Sequence, residues 1–101
     1  MGHRAPKGEW IMKAVKDAAA GSLESSDVLV TVTPSEGEDN TLSVDSIVFR
    51  QFGGRIRSVA EEVIASSGLA GAAVKVQDRG ALECTLRARL ETAIERALGR
   101  A

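Results

Sequence analysis

The sequence predicts an α+β domain in which helices cover a small sheet, as a two-layer sandwich. Three segments alternate apolar and polar residues with the period of a strand, and three others space their apolar residues as a helix does. The predicted order is helix, strand, strand, helix, strand, helix, or α-β-β-α-β-α. With 101 residues, of which 44 % are hydrophobic, the chain suits one compact domain rather than two.

The N-terminal part divides into a tail and a short helix. Residues 1–11 are mostly polar and include Pro6 and Gly8, so we expect a flexible extension, with residues 12–101 forming the single domain. The alanine-rich segment from Ile11 to Ala20, "IMKAVKDAAA", predicts a helix that ends at Gly21.

Two strands are predicted next. "DVLVTVT", residues 27–33, places Val28, Val30 and Val32 on one face. "TLSVDSIV", residues 41–48, does the same with Leu42 and Val44. The polar segment 34–40 between them predicts a β-hairpin with a long acidic loop.

The remaining elements are a helix, a strand and a helix. "QFGGRIRSVAEEVIASSG", residues 51–68, is amphipathic and ends near Gly68; "AAVKVQD", residues 72–78, alternates as a strand. The segment 81–99 has an apolar residue at every fourth position from Leu82 to Leu98. If the strands around the first of these helices are parallel, the connection is a right-handed crossover.

Composition excludes several classes of function. The 13 basic and 14 acidic residues leave a net charge of -1, so no overall field attracts nucleic acid or an anionic membrane. The predicted strands hold no aromatic residue on which bases would stack. No apolar run approaches the ~20 residues of a membrane span, and the N-terminus lacks the apolar centre of a signal peptide. We therefore expect a cytoplasmic protein.

Residues for independent catalysis are also missing. One cysteine, Cys84, and one histidine, His3, exclude a disulfide framework and a cluster of soft metal ligands, and Cys84 is predicted to be a partly buried helix residue. The adjacent serines Ser25 and Ser26 have no plausible base, since His3 lies in the tail. Glu61 and Glu62 are helix neighbours whose side chains point apart, as on a solvated face.

A serine that only receives a group needs exposure and flexibility, because the enzyme that attaches the group supplies the activation. Ser25 lies among small residues before a strand and meets both needs. From the residues alone, however, a solvated turn is the favoured interpretation, because serine and aspartate are ordinary turn residues. Ser46 is a rival, because "DSI" at 45–47 resembles the attachment motif of ordinary acyl carrier proteins. Those are four-helix bundles, whereas Ser46 continues a strand pattern, so we interpret this match as accidental.

Four stretches together resemble one family. They are "AGSLESSDVLV" at 20–30, "DSIVFRQFG" at 45–53, "IR" at 56–57 and "DRGALECTLRARLE" at 78–91. In this order and spacing they are similar to the acyl carrier (gamma) subunit of citrate lyase, from about Met12 to Ala97. The departures are small, with Ser22 where threonine is usual, Arg79 in place of lysine, and Gln77 where an acid often stands.

The resemblance implies a cofactor and a site. In that family a serine of the Leu-Glu-Ser-Ser/Gly-Asp segment is linked by a phosphodiester to 2'-(5''-triphosphoribosyl)-3'-dephospho-coenzyme A. The match falls on Ser25, while Ser26 occupies a position where the family also shows glycine. Residues 12–101 would then be a non-catalytic acyl carrier domain. We also hypothesise that the acids Glu24 and Asp27 keep a polyanionic arm from folding back onto its loop.

The resemblance further implies partners. The thiol of the arm would carry acetyl and citryl thioesters between an alpha subunit, the acyl transferase, and a beta subunit, the citryl lyase, after a cofactor-transferring enzyme has attached it. Candidates for docking to these subunits or to phosphates of the arm are four helix arginines: Arg55, Arg57, Arg87 and Arg89.

Several alternatives stay open. The carrier subunit of malonate decarboxylase resembles this chain in the serine segment and in size, although the block "RGALECTLRARLE" favours citrate lyase. A citramalate lyase carrier would look nearly the same as a citrate lyase carrier, so the substrate is less defined than the carrier role. A cofactor-free structural or regulatory interaction domain belongs to another class, and a minimal hydrolase using Ser25 lacks a base.

Overall fold

The computed structural model describes residues 11–100, so the predicted extension, residues 1–11, lies outside the described residues except for Ile11, as do His3 and Ala101. Within residues 11–100 the chain forms six strands and two helices. In chain order they are β1 Met12–Lys13, β2 Ala18–Gly21, β3 Val28–Pro34, β4 Thr41–Ser46, α1 Phe49–Ser67, β5 Leu69–Ala70, β6 Ala72–Asp78 and α2 Glu83–Ala97.

Four strands form the main sheet in the order β2-β3-β6-β4. β3 is antiparallel to both β2 and β6, whereas β4 and β6 are parallel and α1 connects them. β1 and β5 form a separate parallel pair. The predicted α+β class is therefore confirmed, and the domain is not a four-helix bundle.

The predicted hairpin of β3 and β4 is wrong, because β6 lies between them. Val76 is the register partner of Val30 on one side and of Val44 on the other. Alternate residues of β6 are buried, including Val74 and Val76. A central position in the sheet stabilises this strand most, because its side chains pack against neighbours on both sides. Local alternation identifies a strand but does not choose its partner.

The predicted first helix is also wrong, because residues 11–20 contain β1 and most of β2. Ala18–Gly21 pairs with residues 29–32 of β3, and Ala20 is buried. The segment is too short to form a stable helix alone, and the strand pairing outweighs the helix propensity of its alanines. The sequence predicts that Gly21 ends a helix. It does end an element, with a φ of +99°, but that element is the strand β2.

The core lies between one face of the sheet and the two helices. The valine face predicted for β3 is buried, as is the alternating face of β6, and α1 ends as predicted, with Gly68 in a left-handed cap. Two apolar residues of the helical segments, Phe52 and Leu82, are 54 % and 72 % exposed. They lie near the starts of α1 and α2, where they line a groove of about 420 Å³ between the helices.

Neither α1 nor α2, the helices found in residues 11–100, is long and apolar enough to cross a membrane.

Candidate functional site

Ser25 lies at the tip of the hairpin that joins β2 to β3. The loop runs from Ser22 to Asp27, and Ser25 and Ser26 are both exposed. The Asp27 amide donates a 3.1 Å hydrogen bond to the Glu24 carbonyl, which closes a four-residue turn with the two serines at its centre. Within the described part of the chain, the loop's side-chain hydrogen bonds involve Ser22 and Asp27, and neither central hydroxyl is engaged.

Ser26 has a left-handed backbone, with a φ of +69°. Its amide donates to the Arg79 carbonyl at 2.8 Å, and the Arg79 amide donates to the Asp27 carbonyl at 2.9 Å. Two loop residues thus face one residue at the end of β6, which is the pattern of a bulge that favours glycine at its first position. This backbone geometry gives a physical reason for glycine to be accepted at position 26, while position 25 has no such requirement.

Asp27 is the main polar anchor of the loop. Its carboxylate accepts hydrogen bonds from the Ser22 hydroxyl at 2.7 Å and the Val28 amide at 2.7 Å. The Arg89 guanidinium adds two more, from Nε at 3.2 Å and from Nη2 at 3.1 Å. The hydrogen bond from Ser22 first, then those from Val28 and Arg89, lower the pKa of Asp27 from 3.8 to about 2.

The pairing with Arg89 changes the electrostatics that the sequence suggested for this loop. Asp27 is opposed by the positive charge of α2, so the loop is less acidic than Glu24 and Asp27 together imply. The hypothesis that acids repel an attached polyanion therefore depends on Glu24, which is exposed. It stays a hypothesis.

Ser46, the rival serine, is held inside the fold. It is half-buried at the end of β4, and its hydroxyl donates to the Asp78 carboxylate at 2.8 Å while accepting from the Val48 amide at 3.1 Å. An attached group would remove the proton that the Ser46 hydroxyl donates to Asp78 and would have to leave from this half-buried position. The geometry thus favours Ser25 over Ser46 as an acceptor, in agreement with the strand pattern around Ser46.

The other candidates for chemistry do not form a site. Cys84 is exposed in the first turn of α2, so the prediction of partial burial is wrong. Its helix turn faces solvent, while the buried stripe of α2 begins at Leu86. Glu61 and Glu62 are exposed and pair separately with arginines, as expected of a helix surface. Across residues 11–100, no group of three potential metal ligands lies close enough to hold an ion.

The four arginines proposed for docking all have carboxylate partners within the domain. The ion pairs are Arg55 with Glu83, Arg57 with Glu61, Arg87 with Glu62 and Glu83, and Arg89 with Asp27. Three of these five pairs join separate elements, and the other two, Arg57 with Glu61 and Arg87 with Glu83, lie within one helix. Arg89 and Asp27 are 62 positions apart, and no local signal connects them. Docking by these arginines stays a prediction.

Known proteins resemble this chain in sequence along most of its length. The family model described as "ACP: Malonate decarboxylase delta subunit (MdcD)" matches residues 15–97. The citrate lyase acyl carrier protein of Albidiferax ferrireducens is 46 % identical over 88 residues, which are 87 % of this chain and 90 % of that protein. Citrate lyase acyl carrier protein 2 of Salmonella typhimurium is 49 % identical over 86 residues, covering 85 % and 89 %.

A solved structure shares the fold. A chain of a Pseudomonas malonate decarboxylase hetero-tetramer, crystallised in complex with malonate, superposes with a TM-score of 0.68 and 21 % identity. The match covers 81 % of this chain and 84 % of that one. The sequence and family matches, together with this shared α+β fold, show that the chain belongs to the acyl carrier family of the citrate lyase acyl carrier proteins.

Proposed function

We propose that this chain is the acyl carrier subunit of citrate lyase and that Ser25 bears its prosthetic group. The group is 2'-(5''-triphosphoribosyl)-3'-dephospho-coenzyme A, joined to the serine through a phosphodiester. The observation that carries the proposal is the Ser25 hydroxyl, which is exposed at a hairpin tip within the segment that resembles the family's attachment site.

The residues present fit such a group. Ser25 is exposed, so a phosphodiester at its oxygen displaces no packed side chain and breaks no hydrogen bond among the described residues. Arg89 pairs with Asp27 in the same loop, so the charge of that carboxylate is compensated where a phosphodiester would be added. The group would supply the thiol that carries the acyl thioester. The exposed Cys84 lies on α2, outside the acceptor loop.

The domain's own residues hold and present the acceptor rather than catalyse a reaction. The loop presents Ser25 at an exposed hairpin tip, where a group attached to it can enter the active site of another protein. Tethering raises the effective concentration of a bound thioester at each site that the arm can reach, to the millimolar range for a short flexible link. The proposed partners are the alpha and beta subunits of a cytoplasmic lyase and the cofactor-transferring enzyme.

Intact mass with peptide mapping tests the attachment. The chain is co-expressed with the cofactor-synthesising and cofactor-transferring enzymes as wild type, Ser25→Ala, Ser26→Ala and Ser46→Ala. We expect a dephospho-coenzyme A derivative on all but Ser25→Ala, with the modified peptide containing residue 25. The matched variants Ser26→Ala and Ser46→Ala remove a neighbouring hydroxyl and the rival hydroxyl. Loss of the adduct only in Ser46→Ala would refute Ser25 as the attachment site and assign it to Ser46.

If the wild-type chain receives no adduct while a control carrier does, the cofactor-free interaction domain replaces the carrier proposal. The control carrier shows that both enzymes are active in the same cells.

A malonate decarboxylase carrier is the second candidate, because the family model carries that description and the shared fold is that of a malonate decarboxylase chain. The loaded chain is mixed with the partner subunits of citrate lyase, of malonate decarboxylase or of citramalate lyase. We expect citrate cleavage to be restored, because the sequence matches bear the name citrate lyase acyl carrier protein. Activity only with another set would reassign the substrate.

A further inference from the structure

The acceptor loop is fastened to α2 by one side chain. The Arg89 guanidinium meets both carboxylate oxygens of Asp27, where β3 begins. At the other end of the loop, a Cβ added to Gly21 would lie 3.2 Å from Cδ of Arg89, so the arginine's aliphatic stem passes over the end of β2. Arg89 therefore contacts both ends of the hairpin loop that carries Ser25.

Asp27 transmits this contact to the turn. One carboxylate oxygen accepts from Arg89 Nε and the Val28 amide, and the other accepts from Arg89 Nη2 and the Ser22 hydroxyl. The Asp27 side chain is 18 % exposed, so these bonds are partly shielded from water. Bidentate pairs between arginine and a carboxylate fix orientation as well as distance.

The backbone on the far side of Ser25 is held as well. The Ser26 amide and the Asp27 carbonyl both bond to the backbone of Arg79 at the end of β6. Ser25 is thus the exposed centre of a turn whose C-terminal side is hydrogen-bonded to β6 and whose base is tied to α2. The sequence suggested a flexible acceptor, whereas the structure shows a braced one.

We propose that Arg89 is a positioning residue for attachment of the prosthetic group: acting through Asp27, it holds the Ser25 turn in the conformation that the cofactor-transferring enzyme binds. This inference rests on the proposed function. An acceptor that occupies the binding conformation only part of the time binds more weakly by that fraction. Loss of the brace should therefore raise the KM for the carrier, while kcat changes little once the turn is bound.

The test measures transfer of the prosthetic group to the purified full chain by the cofactor-transferring enzyme. For Arg89→Ala we expect KM to rise about tenfold, as for a turn populated about a tenth of the time, with kcat within about twofold of wild type. Arg89→Lys should recover part of the loss, because lysine keeps the charge but not the two-pronged geometry. Arg89→Gln keeps most of the stem and a hydrogen-bond donor, and serves if Arg89→Ala folds poorly.

The matched control is Arg100→Ala. Arg100 also pairs with one carboxylate through two hydrogen bonds, to Glu95, and its side chain is 38 % exposed against 41 % for Arg89. Arg100 lies at the end of the described chain. We expect the KM for the Arg100→Ala carrier to equal that for the wild-type carrier. Amide hydrogen exchange gives a second readout, and the Ser26 amide should exchange faster in Arg89→Ala than in Arg100→Ala.

An unchanged KM in Arg89→Ala would overturn the inference, as would an equal rise in Arg100→Ala, which would show a general effect of losing an ion pair. A fall in kcat alone, with KM unchanged, would also contradict it. Failure of the proposed function looks different, because the wild-type chain itself would then receive no group from an enzyme that modifies a control carrier.

Discussion

The Ser46 hydroxyl donates a 2.8 Å hydrogen bond to the carboxylate of Asp78, which joins the end of β4 to the end of β6. Asp78 is 2 % exposed and also accepts from the amides of Gly80 and Ala81, at 3.2 and 3.0 Å. The Asp78 carboxylate thus accepts hydrogen bonds from the backbone amides where the chain leaves the sheet for α2. The serine that resembles an ordinary carrier site is therefore part of the structural framework.

Replacing Asp78 by alanine is expected to lower the free energy of unfolding by about 1–3 kcal/mol, because the Gly80 and Ala81 amides and the Ser46 hydroxyl lose their acceptor. Urea unfolding followed by circular dichroism measures the change. The matched control is Asp45→Ala. The Asp45 side chain is 65 % exposed, and its Oδ2 lies 3.9 Å from Nη2 of Arg79. We expect that control to change stability by less than about 0.5 kcal/mol. Equal losses would contradict the role of Asp78.

Gly21→Ala should destabilise the domain, whereas Gly54→Ala should stabilise it. A Cβ at position 21 would lie 1.8 Å from the Val28 carbonyl oxygen, and the φ of +99° disfavours any side chain there. At position 54, inside α1, a Cβ meets nothing within 4 Å, so alanine should gain about 0.5–1 kcal/mol. Thermal unfolding of both variants checks the prediction, and a shift of the same sign in both would refute it.

Ser26→Gly is expected to raise the free energy of unfolding by about 0.5–1 kcal/mol. Glycine removes the cost of a left-handed serine, and the greater freedom of the unfolded chain offsets part of that gain. Ser26→Val should lower stability, because a β-branched residue tolerates positive φ poorly. Denaturant midpoints measure both effects. A Ser26→Gly variant less stable than Ser26→Val would show that the turn does not adopt this backbone.

The pH dependence of stability should reveal the anchored carboxylate of Asp27. Its pKa is about 2 in the folded chain against 3.8 ordinarily, so the unfolded chain binds the proton more readily. The contribution is fully present above about pH 4 and is lost as the pH falls toward 2. Melting temperatures of wild type and Asp27→Asn, measured from pH 6 to about pH 2, should converge in acid. Parallel curves across this range would contradict the prediction.

Much of the local structure could be predicted from the sequence alone. The alternation of Val28, Val30 and Val32 identified a strand and its buried face, and the glycine at position 68 marked the end of α1. Both features depend on residues close together in the chain, where the period of the backbone decides which side chains share a face. The serine segment was equally local, and the resemblance of that segment indicated Ser25.

Only the tertiary structure decided which strands pair and what holds the turn of Ser25. β6 lies between β3 and β4, and residues 18–21 join the sheet as a strand in spite of their alanines. Arg89 reaches Asp27 across 62 positions. Which arrangement forms depends on the burial and hydrogen bonding of the whole fold, and the local periodicity of the sequence does not contain that information. The sequence by itself therefore determined β3, β4, β6, the two helices and the candidate serine, whereas long-range packing determined the strands before β3, the strand order and the braced turn that presents the serine.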